Sequence, residues 1–412
     1  MRSVRRDVPP PRHRGGVTRR FPRAAAFAFA AAVSGTLLPV CAFSQDVWSG
    51  IVPLPVEAPP SGLPEVEFLS ALPLPPEAPE GLSGVAWLGG SGAFPDGSFA
   101  FAEDSGGRVH FAELESDRAT GIPTGCVFRA TAAVRGAVDL EGIAFDGATG
   151  SLWVSDENGP AVFRVATEAA PATATGTAPA NWVASPEREP LPPSLSRCRP
   201  NLALEALAFD PAGGCLYTAS EAALRGGPDG FSRLVSLPAR RPAAGLRGDG
   251  AAAREWHVPL EEATGAALPM LPKPFTGLCG LSALPDGRLL ALERTFGYEI
   301  APGADGEAVQ SLCRATISVL DVRARRGIAA GHPEAEAPEP ATGPSAETVA
   351  EKRVLWRALT GDANVEGICL GPELPGGGRL LVAVSDGDVS KRGGMELRWK
   401  KLLLFFRLRA LP

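Results

Sequence analysis

The sequence predicts an all-β chain built from one repeated unit, and three observations carry that reading. The first is the unit itself. Asp139-Leu-Glu-Gly-Ile-Ala-Phe-Asp146, followed by Gly150-Ser-Leu-Trp-Val-Ser-Asp-Glu157, reads as strand, turn, strand. Leu140, Ile143 and Phe145 are apolar at short spacing, Asp146-Gly147 and Thr149-Gly150 mark a tight turn, and Leu152-Trp153-Val154 is the apolar run of a second strand. The second observation is recurrence. Residues 81–87 lead to 96–104, 204–211 to 214–221, 280–287 to 288–294, and 365–370 to 379–386, each copy ending in or beside an acid. From Ser83 through Glu141, Glu205 and Cys279 to Glu366, the copies lie 58, 64, 74 and 87 residues apart. The third observation is where the irregular sequence falls. The Pro-, Ala-, Thr- and Arg-rich stretches at 169–180, 186–193, 238–254 and 332–345 lie between copies and not inside them.

A two-stranded unit cannot bury both of its faces alone, so five copies must pack on one another, which is the logic of a β-propeller. Five copies are legible, and a sixth would have to come from less regular segments, giving one propeller of five to six blades with long loops between them. Residues 45–65 form a Pro-rich segment expected to wrap the outside, and 66–412 form the propeller domain, with a first candidate strand at 66–72. The run Arg398-Trp-Lys-Lys-Leu-Leu-Leu-Phe-Phe-Arg-Leu408 has strand length and is too short to span a membrane. Its expected role is to complete a blade with 66–72, closing the ring and removing an open edge.

Residues 1–44 read as an export leader. Eight Arg lie between Arg2 and Arg23, residues 24–43 are nearly all small and apolar, and Ala42-Phe-Ser44 resembles a cleavage site. No basic cluster follows, as a stop-transfer signal would need, so the expectation is a periplasmic or secreted protein with no stable membrane span. Arg19-Arg20 weakly resembles a twin-arginine signal. The whole chain of 412 residues carries a formal charge of −6. Without the leader's eight Arg and its Asp7, the balance falls to 32 basic against 45 acidic residues, or −13. Nucleic-acid binding needs clustered Lys and Arg to neutralise phosphate, so that class is set aside. The same balance suits hard divalent cations, which take carboxylate and carbonyl oxygen.

Six cysteines follow Cys41 of the leader: Cys126, Cys198, Cys215, Cys279, Cys313 and Cys369. An even number in an exported chain fits disulfides, whereas Cys215, Cys279 and Cys369 lie within expected strands and equally fit buried thiols. Histidine is scarce. With His13 in the leader, only His110, His257 and His332 remain, and no G-x-S-x-G, phosphate-binding P-loop or H-E-x-x-H pattern occurs. What repeats instead is acid. Glu141, Glu205 and Glu366 occupy the first-strand position, where the other copies have Ser83 and Cys279. Asp104, Asp156, Glu157, Glu221, Glu293 and Asp386 sit at the end of the second strand. If the copies superpose, these acids meet at one end of the ring, and carboxylates so gathered repel unless a cation lies among them.

The order of these stretches resembles the phytase-like family, described as having the esterase-like activity of phytase. The residues that carry the likeness are Glu141-Gly-Ile-Ala-Phe, Leu152-Trp-Val-Ser-Asp-Glu157, Gly81-Leu-Ser-Gly-Val-Ala, Asn364-Val-Glu-Gly-Ile, Ser385-Asp386 and Leu403-Leu-Phe-Phe-Arg-Leu408. The likeness runs from about Leu72 onward. It implies a propeller and, by analogy with alkaline propeller phytases, hydrolysis of a small-molecule phosphate monoester assisted by Ca²⁺. It makes Glu141, Asp156, Glu157, Glu205, Glu221, Glu293 and Glu366 candidate metal ligands, and Arg294 and Arg225 candidate phosphate contacts. Two other classes stay open. One is a lactonase or sugar-ester hydrolase of the gluconolactonase type, which would share a carboxylate-held metal but need no phosphate-binding Arg. The other is a non-catalytic exported binding propeller.

Overall fold

The computed structural model describes residues 50–409 apart from 58–59, 90–93, 167–180, 185, 240–252, 262–274, 304–305, 324, 330–342, 388 and 393–394. The leader, the 169–180 stretch, most of 238–254, and 332–342 with His332 therefore lie outside the described residues. The described chain opens with β1 (Val52–Pro53) and β2 (Glu65–Pro73). The first sheet holds β3 (Leu82–Trp87), β4 (Ser98–Glu103), β5 (Arg108–Ser116) and β6 (Pro123–Val134). The second holds β7 (Leu140–Asp146), β8 (Ser151–Asp156) and β9 (Ala161–Ala166). Two short strands follow: β10 (Asn181–Ala184) runs parallel beside β6, and β11 (Glu187–Arg188) edges β9. The third sheet is β12 (Leu204–Asp210), β13 (Cys215–Ser220), β14 (Phe231–Pro238) and β15 (Arg254–Pro259). The fourth takes β16 (Phe275–Ala283), β17 (Leu289–Gly303) and β18 (Gly306–Asp321). After β19 (Ile328–Ala329), which edges the third sheet, β20 (Glu351–Gly361) returns to the fourth, with β1 outermost. The fifth begins with β21 (Asn364–Glu373) and β22 (Arg379–Asp386). A separate hairpin, β23 (Val389–Arg392) and β24 (Met395–Arg398), precedes β25 (Leu402–Arg409), which lies between β22 and β2.

Each sheet's first strand, β3, β7, β12, β16 or β21, packs against the next, and β21 packs against β3. The ring is therefore closed at five blades, and the five repeats are its two innermost strands. Strand periodicity explains the packing. Along β22, Leu381 and Ala383 enter the core shared with the fourth blade, while Val382 and Val384 enter the core shared with the first. The same alternation places Ala86 and Ile143 in a core between blades one and two, Trp153 and Leu207 between two and three, and Ala208 and Leu281 between three and four. A strand buried on both faces has no polar side to show, which is why its sequence reads as a continuous apolar run.

The closing blade follows the same rule. Val66 pairs with Leu408 and Leu72 with Leu403, so 66–72 and the last apolar run share a blade. Phe405 and Phe406 are 0% and 1% exposed and point into different cores, each burial contributing about 1.5–3 kcal/mol. The six cysteines differ from the disulfide expectation. All are free thiols, and burial pushes Cys126, Cys198 and Cys313 up to about 12.

The inner strands meet tightly at a waist. A Cβ on Gly84 would lie 2.3 Å from the Glu141 carbonyl oxygen, and one on Gly367 would lie 2.6 Å from that of Ser83. Beyond the waist, all five inner strands line a cavity of about 510 Å³ with apolar side chains, among them Val85, Phe145, Phe209, Leu281 and Leu370. On the near side is a different environment.

Candidate metal centre

Each inner strand breaks register with its partner at the same place. The pairing shifts between Leu82 and Gly84, Leu140 and Ile143, Leu204 and Ala206, Leu278 and Gly280, and Val365 and Gly367. The residue skipped by the ladder is Ser83, Glu141 (with Gly142), Glu205, Cys279 or Glu366. A bulged residue leaves the strict alternation between faces, so its side chain can leave the interblade cores, although Cys279 stays packed in the core between blades four and five. These five form a ring. Ser83 donates its hydroxyl to the Leu140 carbonyl of the next blade (2.6 Å), and the Cys279 thiol donates to that of Val365 (3.5 Å).

A second ring comes from the inner blade partners: Asp104, Glu157, Glu221, Arg294 and Asp386. The Asp104, Glu157 and Glu221 amides donate to the carbonyls of Gly81, Asp139 and Ala203 at 2.7–2.9 Å, fixing them beside the inner strands. Glycine makes room for one of these acids. A Cβ on Gly277 would sit 2.3 Å from Glu221 Oε1.

The two rings concentrate carboxylates. Asp139, Glu141 and Glu157 each offer an oxygen within 4.8 Å of the others, as do Glu157, Glu205 and Glu221, so Glu157 belongs to both groups. The Ala203 N–H donates to Glu157 Oε1 (2.7 Å), and Glu205 lies beside Glu157. Glu141 is 7% exposed and has no hydrogen-bond or ion-pair partner among the described residues. Burial, reinforced by the neighbouring negative charges, drives Glu141 and Glu205 well above the usual carboxylate range. Burial likewise pushes Glu157 up to about 7.

Arg294 is the cation the second ring itself carries. Its Nη2 donates to Glu221 Oε1 (2.7 Å) and its Nη1 to Asn364 Oδ1 (3.2 Å) and Glu366 Oε1. Asn364 in turn donates to Glu366 (2.8 Å) and Asp386 (3.3 Å). Burial works against the guanidinium charge, but Glu366, Glu221 and Glu205 outweigh it and hold Arg294 well above its ordinary value. Glu366 is raised by burial, with Arg294 opposing.

Of the acids singled out from the sequence, the structure brings together Glu141, Glu157, Glu205, Glu221 and Glu366. It does not bring Asp156 or Glu293 with them. Each precedes a ring residue by one position, and adjacent strand residues face opposite ways. Asp156 instead accepts the amides of Val138 (2.7 Å) and Asn158 (2.8 Å), while Glu293 pairs with Lys352 Nζ (2.5 Å) and accepts the Glu261 amide (2.6 Å). Glu103, one before Asp104, behaves alike, bound by Arg108 (2.8 Å) and His110 (2.5 Å). Arg225 is exposed and donates to the Ser196 carbonyl (3.2 Å). Asp139 joins the site without having been singled out as a ligand; its signal was its place opposite Glu157.

Oxygen-only donors at this density suit a hard divalent cation such as Ca²⁺. The buried, partnerless Glu141 fits that reading, since an isolated buried carboxylate is costly unless it is paired or metal-bound. A family model described as the esterase-like activity of phytase matches residues 78–389, most of the propeller. The chain belongs to the phytase-like family. No curated protein matches it. Among solved structures, it is similar to a putative oxidoreductase (glucose dehydrogenase) from Thermus thermophilus, at 16% identity over 83% of this chain and 99% of that one, with a TM-score of 0.35. It is also similar to the β-propeller domain of Cps50 (Swd1) from Myceliophthora thermophila, at 10% identity over 83% and 99%, TM-score 0.33. The match to Hsv2 of Kluyveromyces lactis is 12% identical, covers 53% of this chain and spans 58% of that one, TM-score 0.24.

Proposed function

We propose that this phytase-like propeller is an exported Ca²⁺-assisted phosphomonoester hydrolase, with residues 1–44 as its leader. The observation that carries the reading is the meeting of Asp139, Glu141, Glu157, Glu205 and Glu221 at one end of the ring. Membership of the phytase-like family supports the phosphoester class. Among the described residues no helix is long and apolar enough to cross a membrane.

Asp139, Glu141, Glu157 and Glu205 are the residues that would hold the cation. Bound there, Ca²⁺ would neutralise substrate phosphate and lower the pKa of a coordinated water. The protein's own groups have separable roles. Glu157, common to both carboxylate groups and held by the Ala203 amide at Oε1, is placed to anchor the ion between blades two and three. Arg294 contributes fixed positive charge to the end of the site, its terminal nitrogens already engaged by Glu221, Asn364 and Glu366. Exposed Arg225 is left to meet substrate from solvent.

The test is phosphate release by the purified protein from p-nitrophenyl phosphate and from phytate, with calcium and then with EDTA. Release that calcium supports and EDTA removes is the expected result. No release from either substrate, with calcium still raising the melting temperature, overturns the hydrolase and leaves a metal-binding propeller.

A further inference from the structure

The acidic rings are not uniform around the axis, and the difference lies in the fourth blade. At the bulge this blade has Cys279 where blades two, three and five have Glu, and at the second position it has Arg294 where the other blades have Asp or Glu. Both substitutions occur on facing strands of one sheet. Arg294 then reaches out of its own blade in two directions, to Glu221 of blade three and to Glu366 and Asn364 of blade five. Its hydrogen bonds distinguish two sets of carboxylates, with Glu221 in contact with both. Glu366 and Asp386, tied through Asn364, form a set already served by a guanidinium. Asp139, Glu141, Glu157 and Glu205 form the other, in which Glu141 is buried without a partner among the described residues.

We infer that Arg294 is a built-in counter-ion that limits this end of the propeller to one divalent cation, held on the blade-two and blade-three side. The inference rests on the metal reading above and adds position and number to it. The reasoning is electrostatic. A guanidinium between Glu221 and Glu366 puts a positive charge where a second ion would sit, and like charges a few ångströms apart repel. Without Arg294, the side chains of Glu221, Asn364, Glu366 and Asp386 would leave an oxygen-rich set of the kind Ca²⁺ takes. The one-sided arrangement also sets a bound cation opposite a fixed guanidinium, so an anionic ester would meet positive charge from two directions.

Calcium stoichiometry of the full purified chain, read by isothermal titration and by equilibrium dialysis, tests this without an activity assay. One ion per chain is expected for the wild type, two for Arg294→Met and one for Arg294→Lys, which keeps a cation. Glu141→Gln should weaken binding at least about tenfold, and Glu366→Gln by less than about threefold, because Glu141 is among the residues that hold the ion whereas Glu366 is engaged by Arg294. The Gln variants decide the question even if Arg294→Met does not fold. Two ions in the wild type, one ion in a folded Arg294→Met, or equal losses in the two Gln variants would overturn the inference while leaving a metal site in place. No calcium bound to the wild type would instead overturn the metal reading itself.

Discussion

The five inner strands begin in one chemistry and end in another. At their starts, around the bulges, lie Glu141, Glu205 and Glu366, buried and acidic. At their ends, past the glycine waist, lie Phe145, Phe209, Leu281 and Leu370, lining an apolar cavity. Backbone, blade and neighbours are the same at both ends, so the difference comes from register. Where pairing is regular, side chains divide between two interblade cores and must be apolar. Where a strand slips by a bulge, one side chain can leave both cores and carry charge, as in blades two, three and five; in blade four the bulged Cys279 stays in the core. Apolar packing lies at one end and the carboxylates at the other.

Substitutions can test how separate the two ends are. The largest expected effect is at the apolar end. Phe209 stacks on Trp153 with centroids 5.2 Å apart, and Phe209→Ala should cost about 4 kcal/mol in urea unfolding while leaving calcium affinity unchanged. A parallel loss of calcium affinity would mean that the waist does not insulate the ends. Next comes a residue adjoining the acidic ring but turned away from it. Lys352→Met removes the ammonium from Glu293, which is 1% exposed, and should destabilise by about 3 kcal/mol. Calcium binding should again be unaffected; a large change would return Glu293 to the site.

The smallest effect is a pH dependence belonging to the acidic end alone. In the native state Glu157 is raised from its ordinary 4.5 to about 7, with Glu141, Glu205 and Glu366 raised in the same direction. Between those values folded Glu157 holds a proton that the unfolded chain has released, so its contribution is full below about 4.5 and is lost as pH rises through about 7, and the other three act in the same direction. The melting temperature in EDTA should fall over this window, and saturating calcium should flatten the curve. A metal-free protein whose melting temperature climbs across the window would contradict the buried, protonated ring.

Much of this architecture was legible in the sequence because the two innermost strands of every blade are buried on both faces, and such strands write themselves as short apolar runs. The pairing of 66–72 with the last run was legible for the same reason. Outer strands such as β6 and β20 mix exposed and buried positions and leave a weaker pattern. The site was readable only to within one residue. Asp156 and Glu157, or Glu293 and Arg294, are neighbours in sequence, and which one faces the axis depends on a register set by pairing with another strand. Arg294 itself was noticed, but its role as a bridge between blades three and five depends on contacts across 73 and 72 residues that no local pattern encodes. The cysteine parity pointed to cross-links because parity ignores position, and in the structure all six are free thiols.

The join between β2 and β25 has a consequence for how the molecule comes to exist. Arg407 reaches Glu67 across 340 residues of chain, so one of the earliest strands to be synthesised is among the last to find its neighbour. Until it does, the nascent protein has two raw sheet edges able to pair with any passing strand. Contacts this distant in sequence also form slowly. The interval between synthesis and closure is thus the molecule's most vulnerable period, and its yield in the cell should respond to holding chaperones more than the finished ring's stability would suggest.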